Sequence, residues 1–318
     1  AYELTKDIDL SGITWEPLGD ENNPFTGYFN GADYSILNFA KVSHRKDVGL
    51  FGFSNGVIKN LIINAHCSIS GQNIGSLVGH QYTNGQVSNC HVAGVINIYG
   101  GYGDYLDERF GGLIGTNEAG DVSYCSANIQ MTTRYKCDIG GLIGVNTGFV
   151  DNCFSKGQIV EGSGDDDVRD VGWIIMGGLV GVNWAYITNC YSECNIIAYG
   201  RDSSTWEYTD RTGGIAGEQY IGGRFKNCYF IGSAYYGIVD VVNSSNEVTT
   251  LNNCFCLGSL ARKMSVQINN CYSNSDPNYA TNLPNFKSRS FILNVLGWSE
   301  TDWYLEDGEY PKLRFEIK

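Results

Sequence analysis

The stretch Gly140-Gly141-Leu142-Ile143-Gly144, a turn at Asn146 to Gly148, then Val150-Asp151-Asn152-Cys153-Phe154-Ser155, decides the fold because the chain keeps returning to it. Gly-Gly-Leu-Ile-Gly also stands at Gly111 to Gly115, with variants at Gly75 to Gly79 (GSLVG), Gly177 to Gly181 (GGLVG) and Gly213 to Gly217 (GGIAG). A shorter form, GLFG, occupies Gly49 to Gly52. Each of the five-residue blocks is followed 9 to 11 residues later by a cysteine, usually preceded by asparagine. Units therefore begin near Val48, Gly75, Gly111, Gly140, Gly177 and Gly213, with lengths of 27 to 37 residues: a constant core with variable loops. Inside each unit apolar residues alternate with polar or tiny ones, which is the period of a strand. One unit of two or three short strands cannot close a core, but stacked units bury each other's inner faces.

The fold expected is all-β: a single-stranded parallel β-helix, or β-solenoid, right-handed by the default sense of crossover connections. Roughly eight to ten coils at about 4.8 Å each make a rod of about 40 to 50 Å. Like side chains then form files. Leu113, Leu142 and Leu179 make an interior column, and Asn152, Asn189, Asn227, Asn253 and Asn270 an asparagine ladder with a structural role. Cys90, Cys125, Cys153, Cys190, Cys228, Cys254 and Cys271 hold one repeat position and read as a buried thiol ladder, since cysteine is small and apolar enough for a narrow interior. The eleven cysteines are an odd number, so at least one is unpaired, and no C-x-x-C pair suggests a zinc ribbon.

Three segments follow: capping coils over residues 1–47, the repeat solenoid over 48–275 and a C-terminal cap over 276–318, together one continuous domain. The caps cover strand edges that an open solenoid would expose. The cap contains the one expected helix, Asn285 to Leu296, stopped by Gly297 and lying across the last coil. Trp298, Trp303, Tyr304, Tyr310 and Pro311 are expected to plug that end.

The chain has 318 residues, a net charge of −13 and 42% apolar residues. That balance disfavours nucleic acid, which requires a basic footprint, and adhesion to anionic membranes. No run of 18 apolar residues is long enough to span a bilayer as a helix. The start, Ala1-Tyr2-Glu3-Leu4, reads as that of a mature or trimmed chain from which an export signal or lipid anchor has been removed.

The glycine blocks with the following Asn-Cys-[Tyr/Phe]-Ser resemble the GLUG repeat. The opening, with Trp15-Glu16-Pro17-Leu18-Gly19 and Phe25-Thr26-Gly27-Tyr28-Phe29-Asn30-Gly31, resembles the segment that precedes such repeats. Gly308-Glu309-Tyr310-Pro311-Lys312-Leu313 resembles their ending. The resemblance implies a β-solenoid that is secreted or displayed on bacterial cells, as in adhesin-like proteins and non-catalytic parts of IgA-cleaving metallopeptidases. It carries no shared catalytic residues. The chain departs from the pattern at Gly49 to Gly52, which lacks one glycine, and at Cys254 and Cys271, whose units have lost the glycine block.

Three long segments leave the repeat at one place and should cluster on one side. Candidate ligand-binding residues there are Tyr102, Tyr105 and Asp107; Asp165, Asp167 and Trp173; and Trp206, Tyr208 and Asp210. Aromatic faces stack on the apolar surface of sugars and carboxylates accept hydroxyl hydrogens. Asp165, Asp166, Asp167 and Asp170 form a weak calcium candidate, but without the spacing of an EF-hand loop. The string Gly52-Phe53-Ser54-Asn55-Gly56 matches G-x-S-x-G with no helix after it, so it is read as coincidence. No metal site and no cofactor is implied, and no catalytic residue is assigned. His80 and His91 hold repeat positions and read as surface or inter-coil residues.

The function expected is a monomeric, non-enzymatic surface or secreted module for adhesion, binding a glycan or a host surface protein through its loops. The alternatives are a polysaccharide-degrading glycoside hydrolase or lyase, which needs two suitably spaced carboxylates in a groove, and a passive spacer.

Overall fold

The computed structural model describes the chain except residues 43–44, 99–107, 134–135, 163–173, 199–210, 221, 244–247, 262–265, 276–278, 282 and 318. The coil over residues 138–161 shows how the repeat becomes structure. Its four strands are Asp138–Gly140, Ile143–Asn146, Phe149–Asp151 and Phe154–Glu161. The first two belong to a 14-stranded sheet and the last two to an 18-stranded sheet. Every pairing within these sheets is parallel, and the repeat positions meet like with like: Gly140 with Gly177, Asn146 with Asn183, Val150 with Ile187 and Phe154 with Tyr191. The fold is the expected parallel β-helix. One file runs through ten register partners: Tyr2, Phe29, Ile58, Val87, Val122, Val150, Ile187, Phe225, Leu251 and Ile268. Ten coils therefore stack, two of them built from the divergent N-terminal segment.

Two residue types make the corners. Between the first two strands of each coil, Leu113, Leu142 and Leu179 point inward and are fully buried. A Cβ at Gly141 would run into the carbonyl oxygen of Gly178 in the next coil, and one at Gly178 into that of Gly214. Paired glycine is thus favoured from Gly111 onward, whereas the corner at residues 75–79 carries Ser76 in the second place. The second corner precedes the cysteine. Asn60, Asn89, Tyr124, Asn152, Asn189, Asn227, Asn253 and Asn270 all have φ between 49° and 55°. Asparagine is among the few side chains that occupy this left-handed region readily. The cysteine that follows turns into the core, and its Sγ lies 3.0–3.3 Å from the carbonyl oxygen two residues earlier in all seven coils. A thiol suits this place because it fills a narrow apolar interior and still donates weakly to that carbonyl. All eleven cysteines are free and buried.

The C-terminal segment departs from the expectation. The helix is short, Arg289–Asn294, preceded by a 3-10 turn at Leu283–Lys287, with Ser288 as its N-cap. It lies beside the last coils: Asn270 Nδ2 donates to Val295 O and Phe291 meets Tyr272 edge-on. The chain then runs back along the outside of the 18-stranded sheet, toward the middle of the rod, rather than plugging its end. The reason lies in the residue after each cysteine. Phe154, Tyr191, Tyr229 and Phe255 stack in an outward-facing file, with centroids 4.6–4.9 Å apart and planes within 6°. Trp298 and Trp303 pack on that file, and Phe315 reaches Phe154 and His91. Tyr229 Oη donates to Pro311 O and Tyr191 Oη to Glu316 Oε2. Covering those ring faces removes large apolar surface from water, which stabilises the strap in this position.

Candidate functional site

The ligand-binding candidates Tyr102, Tyr105, Asp107, Asp165, Asp167, Trp173, Trp206, Tyr208 and Asp210, and the calcium candidates Asp165, Asp166, Asp167 and Asp170, lie outside the described residues. Their roots are described. The strands that lead into the three segments end at Ile98, Glu161 and Ile197, and chain partners Ile96, Met131, Ile159 and Ile196 hold those ends side by side. The strands that follow begin in register at Arg109, Asp138, Ile175 and Arg211. All three segments therefore spring from one edge of the rod. Among the described residues no group of three His, Cys, Asp or Glu side chains is disposed to hold a metal ion.

A different edge carries exposed aromatic rings. It begins inside the coil, with a file absent from the sequence reading. Gln81 Nε2 donates to Asn117 Oδ1, Asn117 Nδ2 to Asn146 Oδ1, Asn146 Nδ2 to Asn183 Oδ1 and Asn183 Nδ2 to Gln219 Oε1, at 2.7–3.0 Å. All five amides are fully buried. The same Nδ2 groups also reach outward to the turn that follows: Asn117 to Gly120 O, Asn146 to Gly148 O and Asn183 to Ala185 O. Each turn is thus tied to the core by a buried amide. An amide left unpaired there would cost on the order of 1–3 kcal/mol, so the turns are held firmly.

On these fixed turns, the first residue after the amide is Tyr82, Glu118, Thr147, Trp184 or Tyr220. Two positions beyond Thr147 and Trp184 stand Phe149 and Tyr186. Trp184 stacks on Tyr220 with centroids 4.0 Å apart and planes 6° apart. Phe149 stacks on Tyr186 at 5.5 Å, and the Arg224 guanidinium lies 5.4 Å from the Tyr186 centroid on the next coil. The remaining face of Trp184 looks toward the coil of Thr147, a much smaller side chain. Trp184 remains 43% exposed and Phe149 57%. The rings form two short stacks on one edge, Trp184 with Tyr220 and Phe149 with Tyr186, and among the described residues no second ring covers Trp184. Exposed apolar surface of this kind, on a rigid backbone, marks an interaction site. The sequence signal was present in the position after the Asn or Gln that follows each glycine block, where Trp184 and Tyr220 replace the Glu118 and Thr147 of earlier coils.

Two other places were weighed. On the 14-stranded sheet His80 Nε2 lies 2.9 Å from Glu118 Oε2, and Asn73 Nδ2 donates to Asp47 Oδ1 at 2.6 Å. Thr116 Oγ1 donates to Asn73 Oδ1, so the hydroxyl is directed to an amide and not to the imidazole. Burial pushes the Asp47 carboxyl above its ordinary value. This network satisfies buried polar groups between coils and presents no activated nucleophile. His91 likewise pairs with Ser126 Oγ on the neighbouring coil. The second place is a shallow notch of about 320 Å3 beside Phe315, lined by Ile62, His91, Asn128, Phe154 and Lys156. Its cation, Lys156, is already shared by Glu193 and Glu316.

Stacked coils, inward thiols and outward turns define a repeat solenoid of the kind that displays side chains on a stiff rod. Residues 70–99 match the GLUG motif, and neighbouring coils pair with that unit in register. Over 105 residues the chain is 35% identical to a candidate Gly-rich membrane protein of Evansella cellulosilytica, covering 29% of this chain and 12% of that protein. Over 137 residues it is 31% identical to halomucin of Haloquadratum walsbyi, covering 38% of this chain and 1% of that protein. The chain thus spans only a small part of the curated relatives it matches. In three dimensions it resembles a Bacteroides ovatus chain described as a candidate immunoglobulin A1 protease, with a TM-score of 0.57 and 19% identity, over 99% of this chain and 86% of that one. That likeness is one of fold.

Proposed function

We propose that this chain is a non-enzymatic β-solenoid module, secreted or carried on a cell surface, that binds a glycan through the aromatic stacks around Trp184. The observation that supports it is the exposed Trp184 ring, stacked on Tyr220 and carried on a turn anchored by Asn183. An exposed indole is costly to keep in water, and a sugar offers the matching apolar C–H face. Relatives named as a membrane protein and a halomucin agree with a surface location. The long segments holding Trp173 and Trp206 leave from another edge and form the second candidate contact.

A glycan array with the intact chain tests the proposal. Binding is expected, and Trp184→Ala with Phe149→Ala should weaken it at least about tenfold, the scale of one lost aromatic contact. The thermal midpoint should stay within a few degrees, since both rings are exposed. Binding that depends on Trp173 and Trp206 alone moves the site to the other edge. An array with no hits removes the proposal, and release of new reducing ends from a bound glycan would establish the hydrolase reading instead.

A further inference from the structure

We infer that Asn146, Asn183 and Gln219 are positioning residues for the ring pair Trp184–Tyr220, and that affinity at this edge depends on their buried amides as well as on the rings; this rests on the glycan-binding reading above. The two rings sit on successive coils, and each directly follows its amide in the chain: Trp184 after Asn183, Tyr220 after Gln219. One bond, from Asn183 Nδ2 to Gln219 Oε1 at 2.7 Å, joins the residues from which the two turns start. Each amide also holds its own turn. Asn183 Nδ2 donates to Ala185 O at 2.8 Å, spanning Trp184, and Gln219 Nε2 donates to Tyr220 O at 2.5 Å. Outside the coil Tyr220 packs on Val145, Ile175 and Val182. The amides are fully buried while Trp184 is 43% exposed, so a ring that meets solvent is placed from within the core.

The bonding leaves Asn183 one orientation. Both hydrogens of its amide are used, on Gln219 Oε1 and Ala185 O, and its Oδ1 accepts from Asn146 Nδ2 at 2.7 Å. Turning the amide over would set its oxygen against those two carbonyl oxygens and strand them in a buried place. Asn146 is fixed in the same way: its Nδ2 donates to Asn183 Oδ1 and Gly148 O, and its Oδ1 accepts from Asn117 Nδ2. Removing Asn146 takes away the donor that directs Asn183, so the loss should be felt at Trp184, one coil away. A ring that samples several orientations must be ordered when a ligand arrives, and that ordering subtracts from affinity; a ring already fixed binds without it. The stack with Tyr220, at 4.0 Å and 6°, likewise requires the two turns to keep their separation.

Fluorine NMR of the intact chain carrying 5-fluorotryptophan, with the Trp184 resonance assigned by Trp184→Phe, tests this beside titration with a glycan that the array identifies. Asn146→Leu and Gln219→Met should each shift or broaden the Trp184 resonance and weaken binding about three- to tenfold, the scale of ordering a side chain and its turn. Gln219→Met, at the last link, leaves fewer partners unpaired, so it keeps the test open should Asn146→Leu not fold. Leu142→Ala opens a cavity in the coil of Asn146 without removing an amide, and should leave resonance and affinity unchanged. An unchanged Trp184 resonance in the folded amide variants overturns the positioning role, whether or not a glycan binds. A changed resonance with unchanged affinity overturns the dependence of binding on it. If Leu142→Ala has the same effects, general loosening replaces the assignment to the amides. An array without hits removes the glycan reading and the affinity claim with it, and the resonance then decides the positioning role alone.

Discussion

At the scale of single residues, asparagine does two opposite things in this chain. Buried Asn117, Asn146 and Asn183 form a core ladder, while Asn60, Asn89, Asn227, Asn253 and Asn270 form an outer one beside the left-handed corners. Asn146→Ala would strand partners on both neighbouring coils and should cost about 3 kcal/mol in urea unfolding; Asn270→Ala, which loses exposed bonds to Asn253 and Val295 and puts alanine at a φ of 51°, should cost about 2 kcal/mol. The outer ladder was visible in the sequence from its place before cysteine, except at one member. Asn152 bonds Asp151 Oδ2, and Asn189 turns to Asp151 Oδ1. The coil before Asn152 has Tyr124 at the corner and so offers no amide acceptor. The core ladder was not visible, because its asparagines sit beside glycine in what reads as a polar turn, and only the register shows that they point inward.

The cysteines were legible because apolar burial and a fixed repeat position agree. Burial pushes the Cys153 and Cys254 thiols well above their ordinary value, and Cys67 to about 12. All eleven are buried out of reach of solvent, so a thiol reagent near neutral pH should label less than about one cysteine per folded chain and all eleven after unfolding. Glu108 behaves in the same sense. It is 6% exposed, and burial raises its carboxyl from 4.5 to about 7. A folded-state value above the unfolded one means that the stabilisation is complete below about pH 4.5 and is lost as pH rises through about 7. The thermal midpoint should therefore fall between about pH 5 and 8, and Glu108→Gln should flatten that slope and raise the midpoint at the alkaline end. An unchanged slope in the variant would refute the assignment.

Among the elements, the strap after the helix was the least legible. Its aromatic residues announced a packing role, but their partners lie on six different coils, those of His91, Tyr124, Phe154, Tyr191, Tyr229 and Phe255, and nothing local says which face they cover. Tyr191 and Tyr229 are fully buried beneath it although they stand on the outward side of the sheet. Removing residues 297–318 should expose that stacked file, produce a dye-binding apolar stripe and lower the thermal midpoint by several degrees; Tyr191→Phe, which deletes only the bond to Glu316, should cost about 1–3 kcal/mol. The glycine corner lies at the other extreme. Its doubled glycine is readable from sequence alone, and Gly141→Ala should destabilise by several kcal/mol because the methyl group would meet the Gly178 carbonyl in a stack that cannot part locally.

For the whole molecule, stability should be distributed along the axis, since each coil touches chiefly its neighbours. Amide exchange should be slowest in coils crossed by both the strap and the core ladder, those around Cys153 to Cys228, and fastest in the first coil, where Tyr2 is exposed. Ten coils in register also space the surface side chains at a fixed interval that a lone loop cannot keep. The two amide threads have one more consequence. The inner one donates toward the C-terminus at every link, and the outer one donates toward the N-terminus. Their electrical polarities point opposite ways along the rod, so their fields oppose instead of accumulating. A longer array of such units could grow without gathering partial charge at its tips, and its ends would not attract one another on that account.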